Sequence, residues 1–321
     1  MKLEIDIPDD IYRALKNGLG RDLISHKFGL SSTDARKFTG AYELSNIKNK
    51  RDFYEITESD EVEDSAKVLL FDIETAPIEA LVWGTQKQFI QPVQIKRDWC
   101  LLTWSAKWLH DTEMMSDRVT SKEALDRNDE RIVRSLWNLL NEADIVIAHY
   151  GDKFDIRRMN GRFFLYEMRL PSPYQSIDTC KTAQSRMHLT SYKLDEVGGA
   201  LGVGRKIKTE FKLWADCDKG DVSALKEMEK YNRQDVVLLE DVYLKLRPYI
   251  KNHPNMGLFI DSDNPCCPVC TSRKIIDDGY YCTSVSKFPA YYCNECFAPL
   301  RSRKSVVSKE KRKNLTVSLA R

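Results

Sequence analysis

Between residues 66 and 256 short apolar runs alternate with longer stretches of helical periodicity. VLLFDIET, from Val68 to Thr75, opens with a near-continuous apolar run and is bounded by Pro77, the signature of a buried strand. CLLTWSAKWL (Cys100 to Leu109) and DIVIAHY (Asp144 to Tyr150) read as further strands. RIVRSLWNLLNEA and ALKEMEKYNRQDVVLLEDVYLKLRPYI carry apolar residues at helical spacing and predict amphipathic helices. Strands alternating with helices over this length argue for an α/β domain at 66–256.

The flanks differ in character. Residues 9–46 show helical periodicity broken at Gly18, Gly20 and Gly29, which predicts a small helical module over 1–54. Ile24, Phe28, Leu30, Ala35 and Phe38 fall around Gly29 as in a helix-turn-helix, although a plain helical packing module has the same pattern. Residues 55–64 contain six acids and no basic residue, with little that could be buried, so 55–65 reads as a linker. HPN at 253–255 and DNP at 263–265 are turn signals, and a cysteine-rich segment (262–300) follows. The tail, 301–321, holds eight basic residues and one acid and is expected to be mobile in isolation.

The chain has 321 residues, 31% charged and 42% hydrophobic, which excludes a disordered protein and is long enough for more than one folded unit. A net charge of +2 does not advertise a nucleic-acid partner. Its distribution does better: residues 251–321 carry 12 Lys/Arg against 6 Asp/Glu, behind a slightly acidic body. Six of the nine cysteines lie between Cys266 and Cys296, which argues for metal binding rather than a disulfide scaffold. Charges interrupt the N-terminal MKLEIDIPDDIYRAL, and no run approaches the ~18 apolar residues of a membrane span. A soluble, cytoplasmic protein is expected, without a membrane partner.

Three anomalies in the α/β domain carry chemistry. Asp72 and Glu74 are two apart, so on a strand they share the face that Val68 and Leu70 line with apolar groups. Two carboxylates at the end of a buried face repel and lose hydration unless cations neutralise them; the alternative is that the strand has ended and both are solvated. In the long helix, Tyr231, Asp235, Leu239, Val242 and Leu246 recur at helical spacing with Leu238 alongside, which sets an acid in a core-facing stripe. Asp155 follows a strand and a Gly-containing turn where a helix can begin, a position that by itself suits an Asp.

Taken together, these residues resemble a family. Phe71-Asp72-Ile73-Glu74-Thr75 is similar to the first motif of the DEDD-type 3′-to-5′ exonucleases, and HYGDKFD, ending at Asp155, to the second. Tyr231-Asn232-Arg233-Gln234-Asp235 is similar to the tyrosine-type third motif, and Ser191-Tyr192-Lys193-Leu194-Asp195-Glu196 to a segment of family B DNA polymerase exonuclease domains. With a trailing cysteine module, the whole resembles phage-type and prokaryotic exonucleases that lack a polymerase. The resemblance implies a ribonuclease H-like α/β fold, a mixed central sheet flanked by helices, and a prokaryotic or phage-infected cytosol. It also implies two Mg²⁺ or Mn²⁺ held by Asp72, Glu74, Asp155 and Asp235, with Tyr231 orienting the attacking water. Oxygen-only ligands suit these ions better than zinc. The implied reaction is hydrolysis of 3′-terminal phosphodiesters, releasing nucleoside 5′-monophosphates, with single-stranded DNA ends preferred. Thr75, His149, Phe154 and Lys193 are the candidate substrate contacts. One departure stands out: Tyr150 follows His149 where many relatives have Asn. The same motifs serve RNA-trimming exonucleases, and a non-catalytic DNA-binding protein with a degenerate core is the reading from another class.

Cys267-Pro-Val-Cys270 and Cys293-Asn-Glu-Cys296 are two C-x-x-C pairs whose four thiolates can complete a tetrahedral structural Zn²⁺ site, resembling a zinc ribbon. Cys266 could replace Cys267, but Cys267 makes the paired spacing symmetrical. GYYCTSVSKFPAYYC, between the pairs, predicts a short β hairpin with exposed aromatics. Arg301, Arg303, Lys304, Lys309, Lys311, Arg312 and Lys313 follow closely, a combination that suits DNA, with RNA and replication or repair proteins as further partners. A metal staple that caps the nuclease domain is the plainer alternative.

Overall fold

The computed structural model describes residues 65–261 and 264–319, with positions 8, 10, 11, 28 and 30 before them. The helix-turn-helix and the acidic linker therefore lie outside the described residues. The chain divides into two units, Met1–Glu63 and Asp64–Arg321, and the second carries the α/β domain and the cysteine segment.

The apolar run at 68–71 becomes β1 (Val68–Thr75), where Leu69, Leu70 and Phe71 are fully buried. At about 1.5–3 kcal/mol for each such side chain, this strand anchors the sheet. A small hairpin, β2 (Glu79–Ala80) and β3 (Ile95–Arg97), leads to β4 (Leu101–Trp108) and β5 (Met115–Arg118). After α1 (Ser121–Asp126) and α2 (Glu130–Glu142) come β6 (Ile145–Ala148), α3 (Asp155–Leu165) and β7 (Gln175–Asp178). The five main strands are ordered β5-β4-β1-β6-β7, antiparallel on the β4 side of β1 and parallel on the β6 side. Four helices come next: α4 (Thr179–Arg186), α5 (Leu194–Leu201), α6 (Phe211–Asp218) and α7 (Val222–Leu246).

Alternation along β1 builds two cores. Leu69, Phe71 and Ile73 pack with Ile132, Val133, Leu136 and Leu140 of α2, whereas Val68 and Leu70 pack with Val236, Leu239, Val242 and Leu246 of α7. The second face is the one that ends in Asp72 and Glu74. The Asp221 side chain caps α7 by accepting the Ala224 amide, and the helix gives way to a 3₁₀ turn, Arg247–Tyr249, at Pro248.

The strand expected over 144–150 is shorter, because Tyr150 takes a left-handed backbone (φ 66°) that ends pairing. Strands β5 and β7 have no counterpart in the hydrophobic pattern, since MSDR and QSID are polar four-residue edges. Farther on, β8 (Ile275–Cys282), β9 (Lys287–Cys293) and β10 (Pro299–Arg301) form a separate antiparallel sheet. The basic tail is bonded in part to this sheet. The Ser302 and Val306 amides donate to the Pro289 and Lys287 carbonyls, and Ser308 caps a one-turn helix, α8 (Lys309–Lys313). Among the described residues no helix is long and apolar enough to cross a membrane.

Candidate active site and cysteine cluster

Strand β1 and helix α7 bring carboxylates from opposite ends of the domain together. Oxygens of Asp72, Glu74 and Asp235 lie within 4.8 Å of one another. Asp235 is fully buried because its helical position belongs to the stripe of Tyr231, Leu238, Leu239 and Val242, all of them buried. Asp155 opens α3, 2% exposed and outside that trio; its Oδ1 accepts the Ile73 amide (3.2 Å), between the two acids of β1.

Each carboxylate of the trio meets a side-chain donor. Asn232 Nδ2 donates to Asp72 Oδ2 (2.7 Å), Trp214 Nε1 to Glu74 Oε2 (3.2 Å) and Lys206 Nζ to Asp235 Oδ2 (2.6 Å). Lys206 also reaches the Tyr231 hydroxyl at 3.1 Å, and Trp214 meets the Tyr231 ring edge-on. The second oxygen of Asp235, though buried, has no hydrogen-bond partner among the described residues. A buried carboxylate oxygen without a donor, beside two further acids, suits a cation.

The electrostatics agree. Burial, then the charges of Asp155, Asp235 and Glu74, hold the Asp72 carboxyl well above the carboxylate range. Burial likewise lifts Glu74 and Asp155 to about 7. For Lys206, burial opposes the charge, but Asp72 and Asp235 outweigh it and keep the ammonium protonated. Tyr231 is pushed up to about 12, by burial and then by Asp235, so its phenol stays neutral and can donate. Lys206 and Arg158 cannot balance four ionised carboxylates, so these acids either hold protons or suit divalent cations.

A cavity of about 550 Å³ opens from Asp72 and is lined by His149, Tyr150, Lys193 and Lys206 among others. His149 braces the wall with both ring nitrogens, 2.8 Å from Thr179 Oγ1 and 2.8 Å from the Tyr192 carbonyl, and burial holds its pKa down. Tyr150 donates its amide to Asp178 Oδ1. Gly151 comes next because a Cβ there would lie within 2.4 Å of Ala148 Cβ. Thr75 sits at a bulge beside Glu74, Phe154 lies under the Arg158 guanidinium (4.3 Å), and Lys193 is exposed at the cavity wall.

Sequence reasoning missed Lys206, Asn232 and Trp214. Asn232 could have been found, since it stands three residues before Asp235 on the same face of α7. Lys206 lies in the irregular segment between α5 and α6, one of several nearby lysines, and only the tertiary fold singles it out.

In the C-terminal sheet the Sγ atoms of Cys267, Cys270, Cys293 and Cys296 also lie within 4.8 Å of one another. The Val269 and Glu295 amides point at Cys267 Sγ and Cys293 Sγ (3.4 Å each), forming two similar knuckles. Cys266 and Cys282 stay outside the group, half-buried and exposed respectively.

A family model of the RNase H superfamily, RNase_H_2, matches residues 109–247, which include Asp155, Tyr231 and Asp235 but not Asp72 or Glu74. Among solved structures, the chain is similar to the family B DNA polymerase from the hyperthermophilic archaeon Pyrobaculum calidifontis. Identity is 16% and the TM-score 0.44, over 57% of this chain and 25% of the polymerase's. No curated protein matches. The chain has a ribonuclease H-like fold, a mixed sheet with helices on both faces. Fold and acidic cluster together support a nuclease-type hydrolase that uses metal.

Proposed function

We propose that this protein is a metal-dependent 3′-to-5′ exonuclease of the DEDD type with tyrosine in its third motif, acting on single-stranded DNA ends. The observation that carries the reading is the convergence of Asp72, Glu74 and Asp235 around an undonated buried oxygen, with Tyr231 one helical turn away. Asp72, Glu74 and Asp235 would hold one Mg²⁺ or Mn²⁺, and Asp155 would help Asp72 hold a second. When bound, the ions supply Lewis acidity to the attacking water and charge stabilisation to the leaving oxygen of an in-line phosphoryl displacement. The neutral Tyr231 phenol orients that water, Lys206 holds Tyr231 and Asp235 in register, and Asn232 and Trp214 fix the rotamers of Asp72 and Glu74.

The segment Ser191–Glu196 supports DNA as substrate: it resembles a family B polymerase exonuclease segment, and Tyr192 and Lys193 line the cavity beside Asp72. Residues 66–256 form the exonuclease domain and 262–300 a zinc ribbon, with 1–54, 55–65 and 301–321 as helical module, linker and basic tail. Four thiolates suit Zn²⁺. Lys287 over Tyr280 (3.9 Å) and Arg301 over Phe288 (4.4 Å) give the ribbon a basic, aromatic face that fits nucleic acid.

Matched 5′- and 3′-labelled single-stranded DNA and RNA, each with Mg²⁺, Mn²⁺ or chelator, test the proposal. Metal-dependent shortening of DNA from the 3′ end is expected, and Asp72→Ala abolishes it while the protein stays folded. Full activity in that variant, or no digestion by the unaltered protein, would sink the assignment.

A further inference from the structure

The segment joining β1 to β4 holds the largest aromatic exposure in the domain, and the acidic site makes no use of it. Trp83 is 99% exposed and Phe89 85%. In a chain that buries Phe71, Phe163 and Tyr243 fully, two rings left in water on one loop mark a surface that meets something else.

The loop is built rather than loose. At its root Arg127 donates to the Pro77 and Asp98 carbonyls (2.9 and 2.7 Å). At its neck the Leu81 amide donates to the Gln94 carbonyl (2.9 Å), and Gln94 Nε2 returns a bond to the Leu81 carbonyl (3.0 Å). Arg97 and Arg127 both pair with Asp218, at the end of the helix whose Trp214 bonds Glu74. Where the loop rejoins the sheet, the Arg158 guanidinium lies between the Trp99 and Phe154 rings, next to Asp155. The loop's N-terminal end continues β1 beyond Glu74, and its C-terminal end reaches Arg158, beside Asp155.

Its chemistry narrows the occupant. Residues 76–100 hold three basic residues (Lys87, Lys96, Arg97), four glutamines and, at the two ends, Glu79 and Asp98, with Lys96 and Arg97 paired to Glu79. Around the rings, between its two ends, the loop offers amides and the Lys87 ammonium and no carboxylate, which suits a polyanion with flat, stackable bases. We propose that Trp83 and Phe89 are stacking platforms for bases of a single-stranded nucleic acid upstream of the end held at Asp72, Glu74 and Asp235. The inference rests on the nuclease reading and adds a substrate track to it. A strand anchored only at its terminal phosphate would leave by diffusion; stacked bases hold it without reading sequence.

The test is binding of fluorescein-labelled oligothymidylate of about 15 nucleotides, measured by anisotropy in an Asp72→Asn background with Mg²⁺, so that nothing is cut. Stacking on one ring is worth about 5- to 150-fold in affinity, so adding Trp83→Ala and Phe89→Ala together weakens binding at least tenfold. The salt slope stays the same because no charge is removed. Trp83→Phe with Phe89→Tyr keeps most of the affinity, and dithymidylate, which has no bases upstream of its terminal pair, changes less than twofold. Equal affinity of the alanine variant for the long strand overturns the proposal and leaves the rings to a protein surface. A loss matched on dithymidylate also overturns it, because the loop would then support the metal site. If the Asp72→Asn protein with intact rings binds no oligonucleotide and the unaltered protein digests none, the nuclease reading falls and this inference with it. Digestion and binding with indifference to both rings removes this inference alone.

Discussion

Lys206→Met removes the cation that the fold places against the buried acids while keeping much of the side chain's bulk. Its partner Asp235 is fully buried, and the Lys206 side chain retains 28% of its exposure. Breaking a buried pair costs about 3–5 kcal/mol through the charge left behind, whereas an exposed pair is worth about 0–1 kcal/mol. Partial exposure of Lys206 puts the expected loss at about 2–4 kcal/mol. Glu74 and Asp155, both near 7, limit it further by taking up protons once the ammonium is gone. In a domain of this size that corresponds to a fall of about 5–15 °C in melting temperature. The measurement is thermal unfolding of both proteins in buffer free of Mg²⁺, with the cysteine site left loaded, and again in saturating Mg²⁺. Divalent ions supply the missing positive charge, so the difference between the proteins shrinks to less than about 1 kcal/mol when Mg²⁺ is present. An equal difference in both buffers would refute the electrostatic account and make Lys206 a packing element.

Tyr231→Phe should lower kcat by more than it weakens DNA binding, since the ring still packs on Trp214 and only the hydroxyl is lost; the reverse pattern in steady-state kinetics and anisotropy would remove its orienting role. The acids also give the Mg²⁺-free protein a pH dependence. Glu74 and Asp155, raised from 4.5 and 3.8 to about 7, bind protons in the folded chain that the unfolded chain has already released. Their stabilisation is complete below about pH 4 and lost as pH rises through 7. Melting temperature should therefore fall between about pH 5 and 7.5 without Mg²⁺ and flatten with it; a level Mg²⁺-free profile contradicts the assignment. Deleting residues 262–321 should weaken DNA binding and reduce its salt slope while leaving metal at the carboxylates, and an unchanged slope would make the cysteine module a staple.

What could be read from the sequence is what local periodicity encodes. A period of two put Asp72 and Glu74 on one face of β1, and a period of 3.6 put Tyr231 and Asp235 on the buried stripe of α7; both survive because the cores on either side enforce them. Strands β5 and β7 carry no such pattern, being polar edges whose pairing is decided by their neighbours. The same limit hid Lys206 and Trp214, which reach the site from the irregular segment before α6 and from α6 itself. Nor does composition distinguish Trp83, almost wholly in solvent, from Trp104, 4% exposed.

That limit explains why the whole-chain charge misleads. A net +2 describes a balance over 321 residues, but the field at a phosphate is set by groups within about 10 Å. At that range the site gathers Asp72, Glu74, Asp155 and Asp235 against the Lys206 and Arg158 cations, an excess of acid that opposes a phosphate once it is ionised. On the nuclease reading, protons on Glu74 and Asp155, both near 7, relieve part of that repulsion and bound divalent ions the rest, so metal loading should govern affinity for a phosphate end above about pH 7. The loop bearing Trp83 and Phe89, and the face of β8 and β9 where Lys287 and Arg301 cover the rings, carry no such cluster of buried acids. If both bind nucleic acid as proposed, they hold a strand before the ions arrive, which gives a protein whose metal-free site disfavours phosphate a way to begin binding.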